Sequence, residues 1–226
     1  MTSQPHRRLL IFARFPEPSK VKTRLIPALG AEAAAALHAE MTAHTFHWAR
    51  ELRRLNGVDL EIRFDGGSII AMNGHFGCDL RYVRQCEGDL GSRLTEGFQQ
   101  AFECGFSEVL AVGTDCPAIT TALAIQAFNC LETHDVVVGP AEDGGYYLIG
   151  LKSFSPRVFE RIEWGTERVL DQTLERVEET KLSAAQLVEL ADVDRPCDLP
   201  IWDAYRRPNE NILFGFPETS GPTAAL

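Results

Sequence analysis

The segment Asp135-Val-Val-Val-Gly-Pro-Ala-Glu-Asp-Gly-Gly-Tyr-Tyr-Leu-Ile-Gly-Leu151 decides how the rest of the chain is read. It opens as a run of β-branched residues, the mark of a strand buried on both faces, and breaks at Gly139-Pro140. Two acids, Glu142 and Asp143, precede Gly144-Gly145, and a second apolar run follows from Tyr146 to Leu151. Glycine permits close backbone approach and positive φ, so a strand ending in carboxylates and paired glycines brings N–H groups and negative charge to one rim. Upstream, Glu108-Val-Leu-Ala-Val-Gly-Thr-Asp-Cys-Pro117 has the same form: an apolar strand ends in Gly113-Thr114-Asp115, and Pro117 stops further pairing. Two strand ends that carry acids suggest one metal-assisted site for a polar ligand.

Working outward, Arg8-Leu-Leu-Ile-Phe-Ala13 is a short continuous apolar run and predicts the first strand. It empties into a proline-broken loop, Arg14 to Leu25, that holds Arg14, Lys20, Lys22 and Arg24. Taken alone, a charge run reads as a solvated loop. Cations directly after a strand stand where open α/β sheets bind ligands, so phosphate contacts are the favoured reading. Helices are expected over Ala31 to Leu55, from about Ser92 to Cys104, and over Thr120 to Leu131, Pro156 to Ile162 and Glu167 to Lys181. Strands are expected over Asp59 to Phe64, Asp79 to Arg84 and, as an edge, Leu187 to Asp198. The loop Gln85 to Leu94 lies at a strand-to-helix junction; its Asp89 and Arg93 are candidates for base or ribose contacts, with helix capping the alternative for Asp89. Strands alternating with helices predict a three-layer α/β/α domain with a mainly parallel mixed sheet. The domain is expected over residues 1–208, with 209–226, rich in Pro, Gly, Ser and Thr, as a loose tail.

The chain has 226 residues, is 45% hydrophobic and carries a formal net charge of −10, enough to bury one sizeable core. The negative charge disfavours nucleic acid or an anionic membrane as partner. No apolar run is long enough to span a bilayer and no secretory signal is visible, so a cytoplasmic location is expected. Six cysteines without a C-x-x-C pair fit reduced thiols rather than disulfides or zinc. His44 and His47 share a probable helix edge, but with no third ligand they read as packing or surface residues.

Several motifs together resemble the radical-SAM/selenodomain-associated transferase 1 family of the glycosyltransferase-A, or nucleotide-diphospho-sugar transferase, superfamily. They are Phe12-Ala-Arg14 with Lys22-Thr-Arg-Leu25, Gln85 with Gly88-Asp-Leu-Gly91 and Arg93, Gly113-Thr-Asp-Cys-Pro117, Gly139 to Leu148, Trp164-Gly-Thr166, and Asp192-Val-Asp194. The layout is also similar to guanylyltransferases acting on small phosphorylated acids. Where many nucleotidyltransferases carry a glycine-rich loop, this chain has Ala13-Arg14-Phe15-Pro16.

The resemblance implies a glycosyltransferase-A fold and a nucleotide-diphospho donor, with Mg²⁺ or Mn²⁺ neutralising the departing phosphates. By that resemblance Asp115 is the metal ligand; the alternative is a helix cap. Asp143 completes the metal site or, with Glu142, serves as base toward an acceptor hydroxyl; the alternative for both is a turn role. Arg14, Lys20, Lys22 and Arg24 would hold donor phosphates, with the amides of Gly144 and Gly145 beside them. Glycosyl transfer from a nucleotide sugar to a small-molecule acceptor is the first reading. Nucleotidyl transfer from a nucleoside triphosphate to a small phosphorylated acceptor is the second, and a non-catalytic nucleotide-binding module the third. Oligomeric state is not legible.

Overall fold

In the computed structural model, residues 6–206 are described; the expected tail, 209–226, lies outside them. In chain order the regular elements are β1 (Arg7–Arg14), α1 (Ile26–Leu29), α2 (Ala31–Asn56), β2 (Asp59–Asp65), α3 (Ile69–Phe76), β3 (Arg81–Arg84) and α4 (Leu90–Glu103). They continue with β4 (Glu108–Val112), α5 (Thr121–Thr133), β5 (Val136–Pro140), β6 (Tyr146–Leu151), α6 (Val169–Glu179), β7 (Ala184–Gln186) and α7 (Leu199–Arg206). The strands form one sheet in the order β3-β2-β1-β4-β6-β5-β7. All neighbours run parallel except β6, which is antiparallel to both β4 and β5. Because β6 is reversed, its first residue meets the last residues of β4 and β5 at one rim of the sheet.

The alternation of the first strand sorts the core into two layers. Leu9 and Ile11 pack with residues of α2, α3 and α5 on one face, while Leu10 packs with α4, α6 and the short turn at Val158-Phe159 on the other. The centre of β6 is narrowed by design of its sequence: a Cβ on Gly150 would stand 2.3 Å from a Leu110 methyl and 2.7 Å from one of Val137, so this position must be bare for β4 and β5 to fill the layer. On the outer side of α2, Trp202 of α7 packs with Met41 and Val193. That contact brings the segment before α7 back to the rim.

The expected order of elements holds in the main, with differences. The helix expected over Pro156 to Ile162 is only a 3-10 turn, Pro156–Phe159, and α7 follows the last expected element. A further helix, α3, follows β2; its cap is Ser68, whose hydroxyl accepts the Ala71 amide at 3.1 Å. The stretch Leu187 to Asp198 is not a strand. The edge strand is the shorter Ala184–Gln186, and beyond it only Leu190 bridges, to Ala141. On β2 the charged positions of the alternating pattern face the α4 layer rather than water. Glu61 and Arg63 are each 1% exposed and lie 2.7 Å apart, and Arg63 reaches Gln100 of α4 at 2.8 Å.

Candidate active site

The ends of β1, β4 and β5 and the start of β6 open on a cleft of about 1550 Å³. Its floor is built by Asp115. The strand β4 stops at Val112, and the chain then turns through Gly113-Thr114 to present the Asp115 carboxylate at the rim. The helix that follows is capped by Thr120, whose hydroxyl accepts the Leu123 amide at 3.2 Å, so Asp115 is not its cap. Instead it receives Lys22 Nζ at 2.6 Å.

Lys22 is itself buried, and it holds a left-handed backbone, φ 45°, an uncommon conformation for a residue with a side chain. Its ammonium also donates to the Val193 carbonyl at 2.5 Å and lies 4.0 Å from Asp194. Burial of the floor works against charge on Asp115, but the Lys22 ammonium and its hydrogen bond outweigh that and hold the carboxyl below the usual range. Lys22 therefore clamps the cationic loop to β4 and to the segment before α7.

The other predicted cations are also largely engaged. Arg24 pairs with Asp194, and Lys20 with Glu17 at 2.7 Å. All three are exposed, and Arg14 is the one without a close ion pair: its nearest carboxylate is Asp65, at 3.9 Å. The Arg14 carbonyl meets His38 Nε2 at 3.1 Å, which ties the end of β1 to α2. Burial lowers the His38 pKa, and its Nδ1 has no hydrogen-bond partner.

The turn between β5 and β6 closes on itself. The Gly144 amide donates to the Ala141 carbonyl at 3.0 Å and the Gly145 amide to Asp143 Oδ1 at 2.8 Å, so neither is a free donor for phosphate. What the bare Gly144 permits is packing. With φ 85°, a Cβ there would stand 2.1 Å from the Glu167 carbonyl oxygen, and the Gly144 carbonyl accepts the Leu170 amide at 2.9 Å. Asp143 and Glu142 are exposed on the cleft wall.

Asp192 joins them. Burial, then the negative charge of Asp143, raise its pKa. The neighbouring Cys116 thiol is pushed up by burial and by Asp192, Asp115 and Asp143, so it stays protonated and is no nucleophile. Among the described residues no group of three or more His, Cys, Asp and Glu side chains forms a ready metal cage. The floor nevertheless fits a hard divalent cation: the donors that Asp115, Asp143 and Asp192 offer to the cleft are carboxylate oxygens. Mg²⁺ takes one or two carboxylates and fills the rest of its shell with water and phosphate oxygens.

At the α4 end the two candidates have visible structural tasks. Asp89 caps α4, accepting the Ser92 amide at 2.8 Å. Arg93 donates to Asp65 at 3.1 Å and to Gln85 Oε1 at 2.9 Å, while Gln85 Nε2 donates to the Arg63 carbonyl at 2.7 Å. Sequence alone does not single out Asp65 or His38 for the site, and it offers Asp192 and Asp194 only within the motif Asp192-Val-Asp194. Only the position of Asp65 at the end of a strand was a usable signal; the partners of the others are distant in sequence.

Residues 48–166 match the profile of a family described as "uncharacterized protein conserved in bacteria (DUF2064)", over half of the chain, and the chain belongs to that family. A crystal structure of a provisionally assigned nucleotide-diphospho-sugar transferase from Desulfovibrio desulfuricans G20 is 34% identical. It superposes with a TM-score of 0.82 over 92% of this chain and 90% of that one. The inositol-1-phosphate CTP transferase from T. maritima shares the fold at 12% identity, with a TM-score of 0.57 over 92% of this chain and 98% of that one. So does Rv0371c from Mycobacterium tuberculosis H37Rv in complex with manganese, at 14% identity, with a TM-score of 0.53 over 91% and 100%. No curated protein matches by sequence. The architecture is that of the nucleotide-diphospho-sugar transferase fold.

Proposed function

We propose that this DUF2064 protein is a metal-dependent transferase that takes a nucleotide-diphospho donor, with glycosyl transfer from a nucleotide sugar to a small-molecule acceptor as its reaction. The observation that carries this reading is the rim cleft. It sets Asp115, Asp143 and Asp192 on its floor and wall beside Lys22 and the exposed Arg14, a mixture of charges suited to a diphosphate and a hard cation. The 34% identity to the D. desulfuricans protein supports the sugar-nucleotide class. The motifs from Phe12 to Asp194 support the finer placement in the radical-SAM/selenodomain-associated transferase 1 group, with residues 1–208 as one domain.

In this reading Asp115 and Asp192 would hold Mg²⁺ or Mn²⁺, with Asp143 as a further carboxylate of the same cleft; the manganese complex of Rv0371c is consistent with such a cofactor. The ion, when bound, offsets charge on the departing diphosphate. Arg14 binds the phosphates from the open side, and Lys22 keeps Asp115 ionised and in place. The bond between the sugar C1 and the phosphate oxygen breaks, and the nucleoside diphosphate leaves with the electron pair. The acceptor oxygen bonds to C1, and its proton passes to Asp143 or Glu142.

Nucleotidyl transfer from a triphosphate is the second reading, favoured by the fold shared with the T. maritima CTP transferase. Release of pyrophosphate rather than nucleoside diphosphate distinguishes it.

The test is a thermal-shift panel of nucleotide sugars and nucleoside triphosphates with Mg²⁺ or Mn²⁺ on the full chain and on Asp115→Asn. The wild type should gain stability with one nucleotide class only when metal is present. Asp115→Asn should lose that gain entirely. Its unliganded form should also be less stable by about 2 kcal/mol, because the buried Lys22 ammonium loses its charged partner. A metal-dependent shift of unchanged size in the variant would remove Asp115 from the site.

A further inference from the structure

The cleft is larger than the roughly 300–1,000 Å³ of an ordinary ligand pocket, and its two ends differ in kind. The cations and carboxylates gather below β1 and β4. At the α4 end Trp164 and Leu90 line the cleft beside charged residues that include Asp89, Arg93 and Arg168; Trp164 packs in part against the core, and nothing so far gives its exposed part a task.

Trp164 is held rigidly. Its indole edge lies against Gly91 in the first turn of α4, where a Cβ would stand 2.5 Å from Nε1 and 2.9 Å from Cε2. The Tyr146 ring stands across it, 6.4 Å away at 82°. The loop that carries it is pinned by the Glu163 amide to Gln172 Oε1 at 2.7 Å and by the Thr166 hydroxyl to the Glu163 carbonyl at 2.8 Å. The same loop is docked on the β5–β6 turn by the bare Gly144. Trp48 and Trp202 are 5% and 2% exposed, whereas Trp164 is half-buried and lines the cleft. A large aromatic surface held still by two glycines and two hydrogen bonds, and left partly open, is costly to leave wet unless a ligand covers it.

We propose that Trp164 is a ring-stacking, specificity-determining residue, and that the ring it takes is the nucleobase of the donor. This rests on the donor reading above. A base is favoured because Trp164 lines the cleft together with Gln85, Gly88 and Asp89 of the loop that opens α4, a source of polar partners for a base edge. The charged diphosphate can then extend toward Arg14 and Asp115. Stacking on an aromatic side chain is tolerant of base identity, so Trp164 supplies affinity and the loop around Gly88 the choice of base.

Trp164 is the cleft-facing one of three tryptophans, so intrinsic fluorescence of the full chain reads its occupancy. With Mg²⁺ present, the chain is titrated with UDP, GDP and CDP, with inorganic pyrophosphate as a probe without a ring and with glucose as a pyranose probe. Affinities are measured in parallel by calorimetry. The expected result is quenching by at least one nucleoside diphosphate and by neither pyrophosphate nor glucose. Trp164→Leu should weaken the nucleoside diphosphate about tenfold and leave pyrophosphate unchanged, with Trp164→Phe recovering most of the loss. Equal loss for both ligands in the Leu variant, or no loss for either, overturns the proposal while the donor reading stands. Quenching by glucose but not by nucleotides overturns the choice of ring. Absence of any nucleotide binding to the wild type overturns the donor reading and this inference together.

Discussion

Lys22 shows how much one residue can decide at this rim. A buried ammonium is tolerated only with partners, and here Asp115 and the Val193 carbonyl supply them from segments far apart in sequence. Holding a left-handed backbone at Lys22 and at Ser19, φ 66°, costs energy that these contacts must offset, so the strain lies in the loop facing the cleft. Gly144 is the second residue of this kind. Gly144→Ala would place a methyl group against the Glu167 carbonyl in a backbone region that side chains avoid. The variant should lose about 2 kcal/mol or more in thermal unfolding. It should also lose nucleotide-dependent quenching of Trp164, because the loop that carries the indole would be displaced. Retention of both properties would show that the two loops dock without the close approach described here.

Between elements, the ties are mostly charged. Arg50 and Arg53 of α2 both bind Asp79, just ahead of β3, at 2.8 to 2.9 Å. The hydrogen bond from Arg50, then that from Arg53, pull the Asp79 carboxyl well below the usual range against the opposing effect of burial. A depressed folded-state pKa means that the contribution is complete above the unfolded carboxyl pKa of about 3.9 and is lost as pH falls through the lower folded value. Asp79→Asn should therefore cost about 1 kcal/mol at neutral pH, a small figure because the site is half exposed. The difference from wild type in urea midpoint should shrink as pH drops below about 3.9. A difference that stays constant into acid would mean the pair acts by packing and not by charge. The helices themselves follow local rules: Thr120 caps α5, Asp89 caps α4, and Gly57 in a left-handed turn ends α2.

Across the whole molecule, a buried charge cluster links three strands. Glu61 of β2 binds Arg8 of β1 at 3.1 Å, Arg63 of its own strand at 2.7 Å and Arg81 of β3 at 3.2 Å. Removing Glu61 leaves Arg8 and Arg63 charged and dry, so Glu61→Gln should destabilise the fold by about 3 kcal/mol in denaturant unfolding. A loss below about 0.5 kcal/mol would show that the arginines relax to water. Among the described residues no helix is long and apolar enough to cross a membrane, in line with the low apolar runs of the sequence. The strands β1, β4, β5 and β6 were legible as continuous apolar runs, as burial on both faces demands, and β2 by its alternation of apolar and charged residues. That Asp115 and Asp143 line one cleft follows from their places just beyond strand ends at one rim of the sheet. Hidden from the sequence were the reversal of β6, the burial of the charges on β2, and the engagement of Lys22, Arg24, Gly144 and Gly145 by the protein itself. Which partner a charged side chain or an amide takes depends on what the folded chain brings within about 3 Å of it. The pairs Lys22 to Asp115, Arg24 to Asp194 and Gly144 to Glu167 become neighbours only when the sheet closes, so local sequence determined the elements and tertiary contact determined which groups stay free for a ligand.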